Sequence, residues 1–198
     1  MHDRKGLAAA LNLVPVQIYT RNVFRSVELD ALLSFIPPQP LFDLGPASGG
    51  QRFTPIGGPP ALYVSEHPAT SYFEANQLFA SVAATARQEA PPTVILNLSV
   101  HIETVLDLTV PQIQQSLGTT LTELTGDWQW QMTIGGTVPT HMLAELAHLS
   151  GRFQAIRFPS SVENTVANLI IWTDRLVDPS FVQVNDRSGR LAQRIPYH

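Results

Sequence analysis

Residues 49–74 read GGQRFTPIGGPPALYVSEHPATSYFE, and they are the most informative segment of the chain. The segment begins with a glycine-rich turn that contains Arg52, and glycine allows the backbone to turn tightly. A short apolar run over residues 61–64 predicts a buried strand that includes Tyr63. Glu74 follows near the beginning of a predicted helix. A cation, a phenol and a carboxylate are therefore expected on three consecutive elements.

This trio of side chains suits an anionic ligand that contains a sugar. The guanidinium of Arg52 can bind a phosphate through two parallel hydrogen bonds. The carboxylate of Glu74 can stabilise positive charge that develops on a sugar ring. Each residue alone also has an ordinary explanation: Arg52 in a solvated surface turn, Tyr63 as a core aromatic with its hydroxyl satisfied at the edge, and Glu74 as a solvated helix residue. Only their combination favours a site.

The composition is typical of a folded single domain. The chain has 198 residues, of which 44% are apolar and 14% charged, so it can bury a substantial core and disorder is disfavoured. The net charge is −4 and the twelve Lys and Arg residues are scattered, which argues against direct nucleic-acid binding. There is no cysteine, which removes disulfides and thiolate nucleophiles and is compatible with a reducing cytoplasm.

The first sixteen residues resemble a weak signal peptide, but we expect them to remain on a cytoplasmic protein. Asn12 interrupts the apolar run, and no small-residue cleavage pattern follows. No run of apolar residues reaches the length of a membrane span, so no membrane contact is expected.

The remaining sequence predicts a mixture of strands and helices. Proline and glycine positions separate these elements, and residues 119–137 give no clean period and are left unassigned. The predicted strands are Val16–Tyr19 with Val23–Arg25, then Ala61–Val64, Thr93–Val100, Val105–Leu108, Gln154–Phe158, Asn168–Trp172 and Phe181–Val184. The predicted helices run for about five turns from an N-cap at Ser65 to the break at Ala90-Pro91-Pro92, then over Pro111–Leu117 and over Pro139–Leu149.

This order of elements favours the α+β class. Strand–helix–strand alternation is scarce, which argues against a doubly wound parallel sheet. A prolonged loop rich in proline, from Pro37 to Gly49, leads into the glycine-rich turn.

Other familiar catalytic patterns are missing from the sequence. His141 and His148 are seven residues apart and His101 lies elsewhere, so the histidines lack the spacing of a zinc site and we expect no metal. No serine lies in a GxSxG pattern, which leaves a hydrolase triad without its nucleophile. Ser160 follows Pro159 between two predicted strands, where a simple turn is the ordinary explanation.

Taken in order, these pieces resemble the RES domain, a family of bacterial toxins. The family pattern has an early aromatic-Arg pair, Gly-Gly-Arg-Trp, a strand ending in Tyr, a helix with Glu, and a late Pro-Ser followed by Asn. The corresponding residues are Phe24-Arg25, Gly49-Gly50-Gln51-Arg52-Phe53, Tyr63, Glu74, Pro159-Ser160 and Asn168. Two positions depart from the pattern: Gln51 is inserted before the arginine, and Phe53 replaces the tryptophan.

The resemblance implies a single domain related to ADP-ribosyltransferases, with a mixed β core, flanking helices and NAD as its substrate. It places Glu74, Arg52, Tyr63 and Ser160 in the catalytic positions. Arg52 would hold the pyrophosphate with help from Arg25, Tyr63 would stack on or flank the nicotinamide, and Ser160 would hydrogen-bond the nicotinamide ribose or the leaving amide. Asn168 belongs to the expected NAD-binding set.

The resemblance also leaves several alternatives open. The reaction is NAD cleavage by hydrolysis or phosphorolysis, transfer of ADP-ribose to a protein, or none at all if the Gln51 insertion has left an inactive NAD-binding or ADP-ribose-binding module. A helix-turn-helix antitoxin that blocks the site is the expected protein partner, and homo-oligomerisation stays open. The expected divisions are an extension at 1–15, the RES-like domain at 16–184 and a tail at 185–198.

Overall fold

The computed structural model describes residues 1–42, 50–76 and 90–196. The helices in these ranges are α1 (Arg4–Leu11), α2 (Leu29–Leu33), α3 (Pro68–Ala75), α4 (Pro111–Ser116), α5 (Leu121–Thr125), α6 (Trp128–Thr133) and α7 (Pro139–Leu149), with a 3₁₀ turn at Thr173–Arg175. The strands are β1 (Gln17–Glu28), β2 (Ala61–Ser65), β3 (Thr93–Asp107), β4 (Ala155–Pro159), β5 (Ala167–Trp172), β6 (Phe181–Val184) and β7 (Arg194–Ile195).

The strands form one sheet that closes on itself. The strand order is β1-β2-β5-β4-β3-β6-β7, and β1 also pairs with β3, so β1, β2, β5, β4 and β3 make a small closed barrel. The β3–β4 pair is parallel and the other pairs are antiparallel. Helices and a mixed sheet in one compact domain confirm the coarse fold class predicted from the sequence.

The prediction of two separate strands between residues 93 and 108 was wrong. Residues Thr93–Asp107 form one continuous strand, which pairs with β1 from Thr93–Glu28 to Val105–Gln17. The polar residues between the two apolar runs remain in the strand because neighbouring segments satisfy their backbone groups. The ladder with β1 has an irregularity opposite Glu103 and Thr104, where the Glu103 N–H donates to Ser180 Oγ and the Thr104 carbonyl accepts from the Gln154 N–H. In this stretch the buried Ile102 lies between the half-buried His101 and Glu103.

Two apolar clusters lie on opposite faces of the sheet. The barrel interior holds residues such as Leu62, Leu169 and Ile171. Their neighbours along the strands, Ile170 and Trp172, face outward and pack under helices α1 and α7. Alternation of side chains along each strand divides the residues between the two faces.

The helix that carries Glu74 begins later than the sequence suggested. Ser65 is the last residue of β2, and His67 is the N-cap of α3, with Pro68 in the first turn. Ser65 Oγ accepts a hydrogen bond from the His67 N–H at 3.3 Å, so Ser65 supports the turn and does not cap the helix. The predicted continuation of this helix beyond residue 76 lies outside the described residues.

The segment left unassigned in the sequence contains two short helices. Helix α5 begins with a capping box in which the Thr120 side chain accepts from the Glu123 N–H, and the Glu123 side chain accepts from the Thr120 N–H. Asp127 caps α6 by accepting from the Trp130 N–H at 2.9 Å. The Thr-x-x-Glu spacing was a readable signal of a helix start.

A group of charged side chains lies on the interior side of the barrel, where four elements meet. Arg157 on β4 donates to Glu66 at 2.8 Å and to Asp107 at 3.0 Å. The Tyr19 hydroxyl donates to the same Glu66 carboxylate at 3.0 Å, and burial together with that carboxylate raises the pKa of Tyr19. The group ties β1, the end of β2, β3 and β4 together. In the described part of the chain, no helix combines the length and apolar character needed to cross a membrane.

Candidate active site

A cleft of about 260 Å³ opens beside the segment that dominates the sequence. Five of the six residues predicted for the site line it: Arg25, Arg52, Tyr63, Glu74 and Asn168. These residues come from β1, the glycine-rich turn, β2, α3 and β5. Residues far apart in the sequence therefore meet in one polar cleft.

The carboxylate of Glu74 is held rigidly from one side. Its Oε1 accepts hydrogen bonds from Ser160 Oγ at 2.5 Å, the Ser161 N–H at 3.0 Å and Asn168 Nδ2 at 2.8 Å. Hydrogen bonds to an ionised carboxylate are shorter and stronger than those between neutral groups. The arrangement fixes the direction of Glu74 in the cleft.

Ser160 is fully buried and supports Glu74 from behind. Its hydroxyl donates to the carboxylate and accepts from the N–H groups of Val162 and Glu163, at 3.0 and 3.3 Å. Through these contacts the Pro159-Ser160 turn holds the Glu74 carboxylate in position. The structure thus gives Ser160 a definite contact, with Glu74, whereas its expected contact with a ribose stays a prediction.

The inserted Gln51 is accommodated in a tight turn. Gln51 and Thr54 exchange backbone hydrogen bonds of 2.7 and 3.0 Å, with Arg52 and Phe53 between them. Gly50 has φ of 73°, a conformation that favours glycine. Phe53 is buried against Phe158, with ring centroids 4.3 Å apart, while Arg52 lines the cleft. Phe53 is thus a core anchor for the turn, and Gly49 lies outside the described residues.

Arg52 joins the turn to the connection between α5 and α6. Its Nη1 donates to the carbonyl of Gly126 at 2.5 Å and to that of Leu124 at 3.4 Å. Burial lowers the pKa of Arg52, and the nearby carboxylate of Glu74 opposes that shift. The side chain is therefore close to both Glu74 and the α5–α6 connection.

Tyr63 and Arg25 complete the wall of the cleft. The Tyr63 hydroxyl accepts from the Phe53 N–H at 3.1 Å and lies 2.8 Å from Thr54 Oγ1. Arg25 donates to the carbonyls of Tyr63 at 3.3 Å and Phe42 at 3.2 Å. Tyr63 is thus bound to the turn that carries Arg52, and Arg25 bridges β1 to β2.

Sequence reasoning missed several residues at this site, among them three that bear on its chemistry. Trp128 and Gln129 on α6 line the cleft, and Ser161 donates to Glu74 through its backbone. Trp128 and Gln129 had no readable signal because their segment showed no period, whereas Ser161 follows directly on Pro159-Ser160. Within the described ranges no three His, Asp or Glu side chains come together as metal ligands would.

Comparison with known proteins shows the family and the fold of this chain. The sequence model of the RES domain matches residues 29–192. No curated protein sequence matches the chain. Among solved structures, the chain is similar to one from the crystal structure of the M. tuberculosis MbcT–MbcA toxin–antitoxin complex. The two share 18% sequence identity over 92% of this chain and 90% of the other, with a TM-score of 0.66.

The fold and the cleft are those of a small mixed α and β domain with a polar, carboxylate-centred site. Since the family model covers most of the sequence, the chain belongs to the RES domain family.

Proposed function

We propose that this protein is a toxin that cleaves the bond between nicotinamide and ribose in NAD. The observation that carries the proposal is the Glu74 carboxylate, fixed by Ser160, Ser161 and Asn168 beside a cleft that Arg52 also lines. Membership of the RES domain family supports the same conclusion. The toxin–antitoxin complex of the similar structure supports the toxin role.

The chemistry requires a fixed negative charge at the sugar. As the glycosidic bond breaks, nicotinamide leaves with the bonding electrons and the ribose gains oxocarbenium character. A carboxylate that is already oriented stabilises this charge without reorganising during the reaction. Glu74 is the residue assigned to this role, and Ser160 and Asn168 keep it in position.

The cations in the cleft are assigned to the phosphates of NAD. Arg52 would bind the pyrophosphate and Arg25 would assist it, while Tyr63 would flank the nicotinamide. One Nη of Arg52 is engaged with the carbonyls at Leu124 and Gly126, which leaves the guanidinium oriented before a ligand arrives. A group held in its binding geometry loses less freedom when the ligand binds.

The acceptor of the ADP-ribose distinguishes several reactions. Water gives hydrolysis, inorganic phosphate gives phosphorolysis, and a protein side chain gives ADP-ribosyl transfer, which is the reaction of the enzymes to which the fold is proposed to be related. The binding-module alternative rests on the Gln51 insertion. The tight Gln51–Thr54 turn, which keeps Arg52 at the cleft, favours the enzyme.

A protein partner is part of the proposal. An antitoxin of the helix-turn-helix type would cover the cleft and keep NAD out, and the complex would reside in the cytoplasm. No metal is assigned to the reaction, and the domain limits at residues 16 and 184 stay a prediction.

Release of nicotinamide from NAD by the purified protein tests the proposal. We expect release in the presence of a chelator, because Arg, Tyr, Glu and Ser side chains supply the chemistry. Assays with and without added phosphate separate phosphorolysis from hydrolysis, and labelled NAD identifies a modified protein. Absence of nicotinamide release together with tight NAD binding would favour the binding module.

Glu74→Gln isolates the role of the charge. The Gln carbonyl oxygen can accept the hydrogen bonds that Oε1 of Glu74 accepts, so we expect NAD binding to remain within about threefold and turnover to fall by a factor of about 100 or more. Glu145→Gln on α7, an exposed residue bound to Arg4, is the matched control and should behave as wild type. Wild-type turnover in Glu74→Gln would remove this residue from the catalytic role.

A further inference from the structure

The first residue of helix α6 forms part of the cleft. Trp128 is half-buried and lines the same cavity as Arg52 and Glu74. Trp130, two residues later on the same short helix, is 61% exposed and is not among the cavity-lining residues. The two tryptophans thus differ in their relation to the cleft although they share one helix.

Several contacts position the segment that carries Trp128. Its ring lies 6.1 Å from that of His141, and His141 Nε2 is 2.8 Å from the carbonyl of Gln51. On the other side, Arg52 donates to the carbonyl of Gly126, two residues before the tryptophan. Asp127 caps the helix that Trp128 begins. The indole therefore lies beside His141, and the contacts of His141 and Gly126 connect the segment around it to the turn that presents Arg52.

We propose that Trp128 is the aromatic surface on which a planar nitrogen heterocycle of the substrate stacks. An indole beside a guanidinium and a carboxylate matches a dinucleotide, in which flat rings are joined to phosphates and sugars. Stacking of a base on an aromatic side chain contributes appreciably to affinity and needs no hydrogen bonds to the ring edge. The proposal rests on NAD being the ligand of the cleft.

The position of Trp128 favours the nicotinamide ring over the adenine ring. Arg52, Glu74 and Trp128 line the same cavity, and Arg52 donates to the carbonyl of Gly126, two residues before Trp128. Glu74 acts at the ribose that bears nicotinamide, so the ring next to this end of the cleft is the one that leaves.

Steady-state kinetics with NAD provide the first test. We expect Trp128→Ala to raise KM by about 5- to 100-fold, the range found when a base-stacking aromatic is removed. Trp128→Phe should retain most of the affinity because it keeps an aromatic face. Trp130→Ala is the matched control and should leave KM and kcat unchanged. An unchanged KM in Trp128→Ala would overturn the proposal.

Tryptophan fluorescence provides a test that does not depend on catalysis. The chain has three tryptophans, and Trp172 is fully buried. Addition of nicotinamide mononucleotide should quench wild-type emission, and the quench should vanish in Trp128→Phe and persist in Trp130→Phe. ADP-ribose, which carries adenine alone, should quench less. A larger quench by ADP-ribose that depends on Trp128 would keep the stacking role and contradict the assignment to nicotinamide.

The two proposals fail in distinguishable ways. Nicotinamide release by wild type with no quench dependent on Trp128 overturns the stacking role and leaves the proposed function intact. A Trp128-dependent quench without nicotinamide release keeps the stacking role and rejects the enzyme. Equal melting temperatures of the variants show that the changes act on the ligand and not on folding.

Discussion

The Glu74 carboxylate shows how single residues define this site. Three groups, from Ser160, Ser161 and Asn168, direct their hydrogens at one oxygen of Glu74. Ser160 and Asn168 are almost wholly buried, and these bonds satisfy the Ser160 hydroxyl and the Asn168 amide nitrogen. Two of the residues expected to touch NAD thus bind the catalytic candidate, Glu74.

The Arg52 side chain is expected to contribute both to NAD binding and to the stability of helices α5 and α6. Arg52→Ala should weaken NAD binding by about 1.5–3 kcal/mol, the loss typical of a charged hydrogen bond. Arg52→Lys should restore only part of this, because a point charge cannot reproduce the planar fork. Calorimetric titration measures both.

The control for Arg52 is Arg190→Ala, which removes an exposed arginine and should bind NAD as wild type does. Unchanged affinity in both Arg52 variants would assign the phosphates to Arg25. Arg52→Ala should also speed hydrogen exchange over α5 and α6, since the carbonyls at Leu124 and Gly126 lose their donor.

At the scale of elements, helix α7 supports the turn that carries Arg52. The Thr140 hydroxyl donates to the carbonyl of Arg52, and His141 Nε2 lies 2.8 Å from the carbonyl of Gln51. The first turn of one helix therefore determines where an otherwise exposed turn sits.

His141 makes this junction sensitive to pH. Burial lowers the pKa of His141 from its ordinary value of 6.5, and the hydrogen bond to Gln51 only partly opposes this. The unfolded chain therefore takes up a proton at higher pH than the folded one. The contribution of neutral His141 to the free energy of unfolding should be fully present above about pH 6.5. It should decline as the pH falls through that value towards the pKa of His141 in the folded protein.

Urea unfolding of wild type and His141→Gln at about pH 7.5 and pH 5 measures this contribution. We expect a smaller decline in His141→Gln, because the amide can donate to Gln51 without titrating. His148→Gln, on the same helix, keeps the His141 contribution and serves as the control. An identical decline in wild type and His141→Gln would contradict the argument.

At the scale of the whole molecule, closure of the barrel brings two carboxylates, those of Glu66 and Asp107, close to each other. Arg157 lies between Glu66 and Asp107, and the exposed fractions of these side chains are 21%, 16% and 8%. Removing one member of a partly buried ion pair leaves the remaining charge uncompensated. In the surface pair Arg4–Glu145, the side chains are 54% and 46% exposed, so water can solvate the charge that remains when one partner is removed.

Arg157→Met should lower the free energy of unfolding by about 1–3 kcal/mol, since two carboxylates then face each other with reduced solvation. Arg4→Met, the matched change at the exposed pair, should cost about 0–1 kcal/mol. Chemical denaturation measures both. Equal losses of unfolding free energy in the two variants would mean that the ion pairs of Arg157 stabilise the protein no more than the exposed pair does.

The proposed toxicity is a property of the whole protein in a cell. Expression should slow growth of a bacterial host, and intracellular NAD should fall before growth stops. Glu74→Gln should be harmless at equal soluble yield and equal melting temperature, because misfolding would burden the cells in either form. Equal toxicity of both forms, or arrest with unchanged NAD, would favour a different activity.

Much of the secondary structure followed from local sequence. Helix α7 matches its predicted limits, Pro139–Leu149, because its apolar period, its proline start and its Ser150-Gly151 end agree. The strands β2, β4, β5 and β6 were predicted to within one or two residues. The continuous β3 was not, because pairing with β1 overrides the polar break in its middle.

The amino-acid sequence by itself determined the family, the local elements and the residue types of the site, because these depend on spacing along the chain. The tertiary structure alone decided that Ser160 and Asn168 bind Glu74, that Arg52 fastens the α5–α6 connection, and that Trp128 faces the cleft. Each of these contacts joins residues more than 70 positions apart or depends on how a short helix packs. Barrel closure brings such residues together, and no local pattern records it.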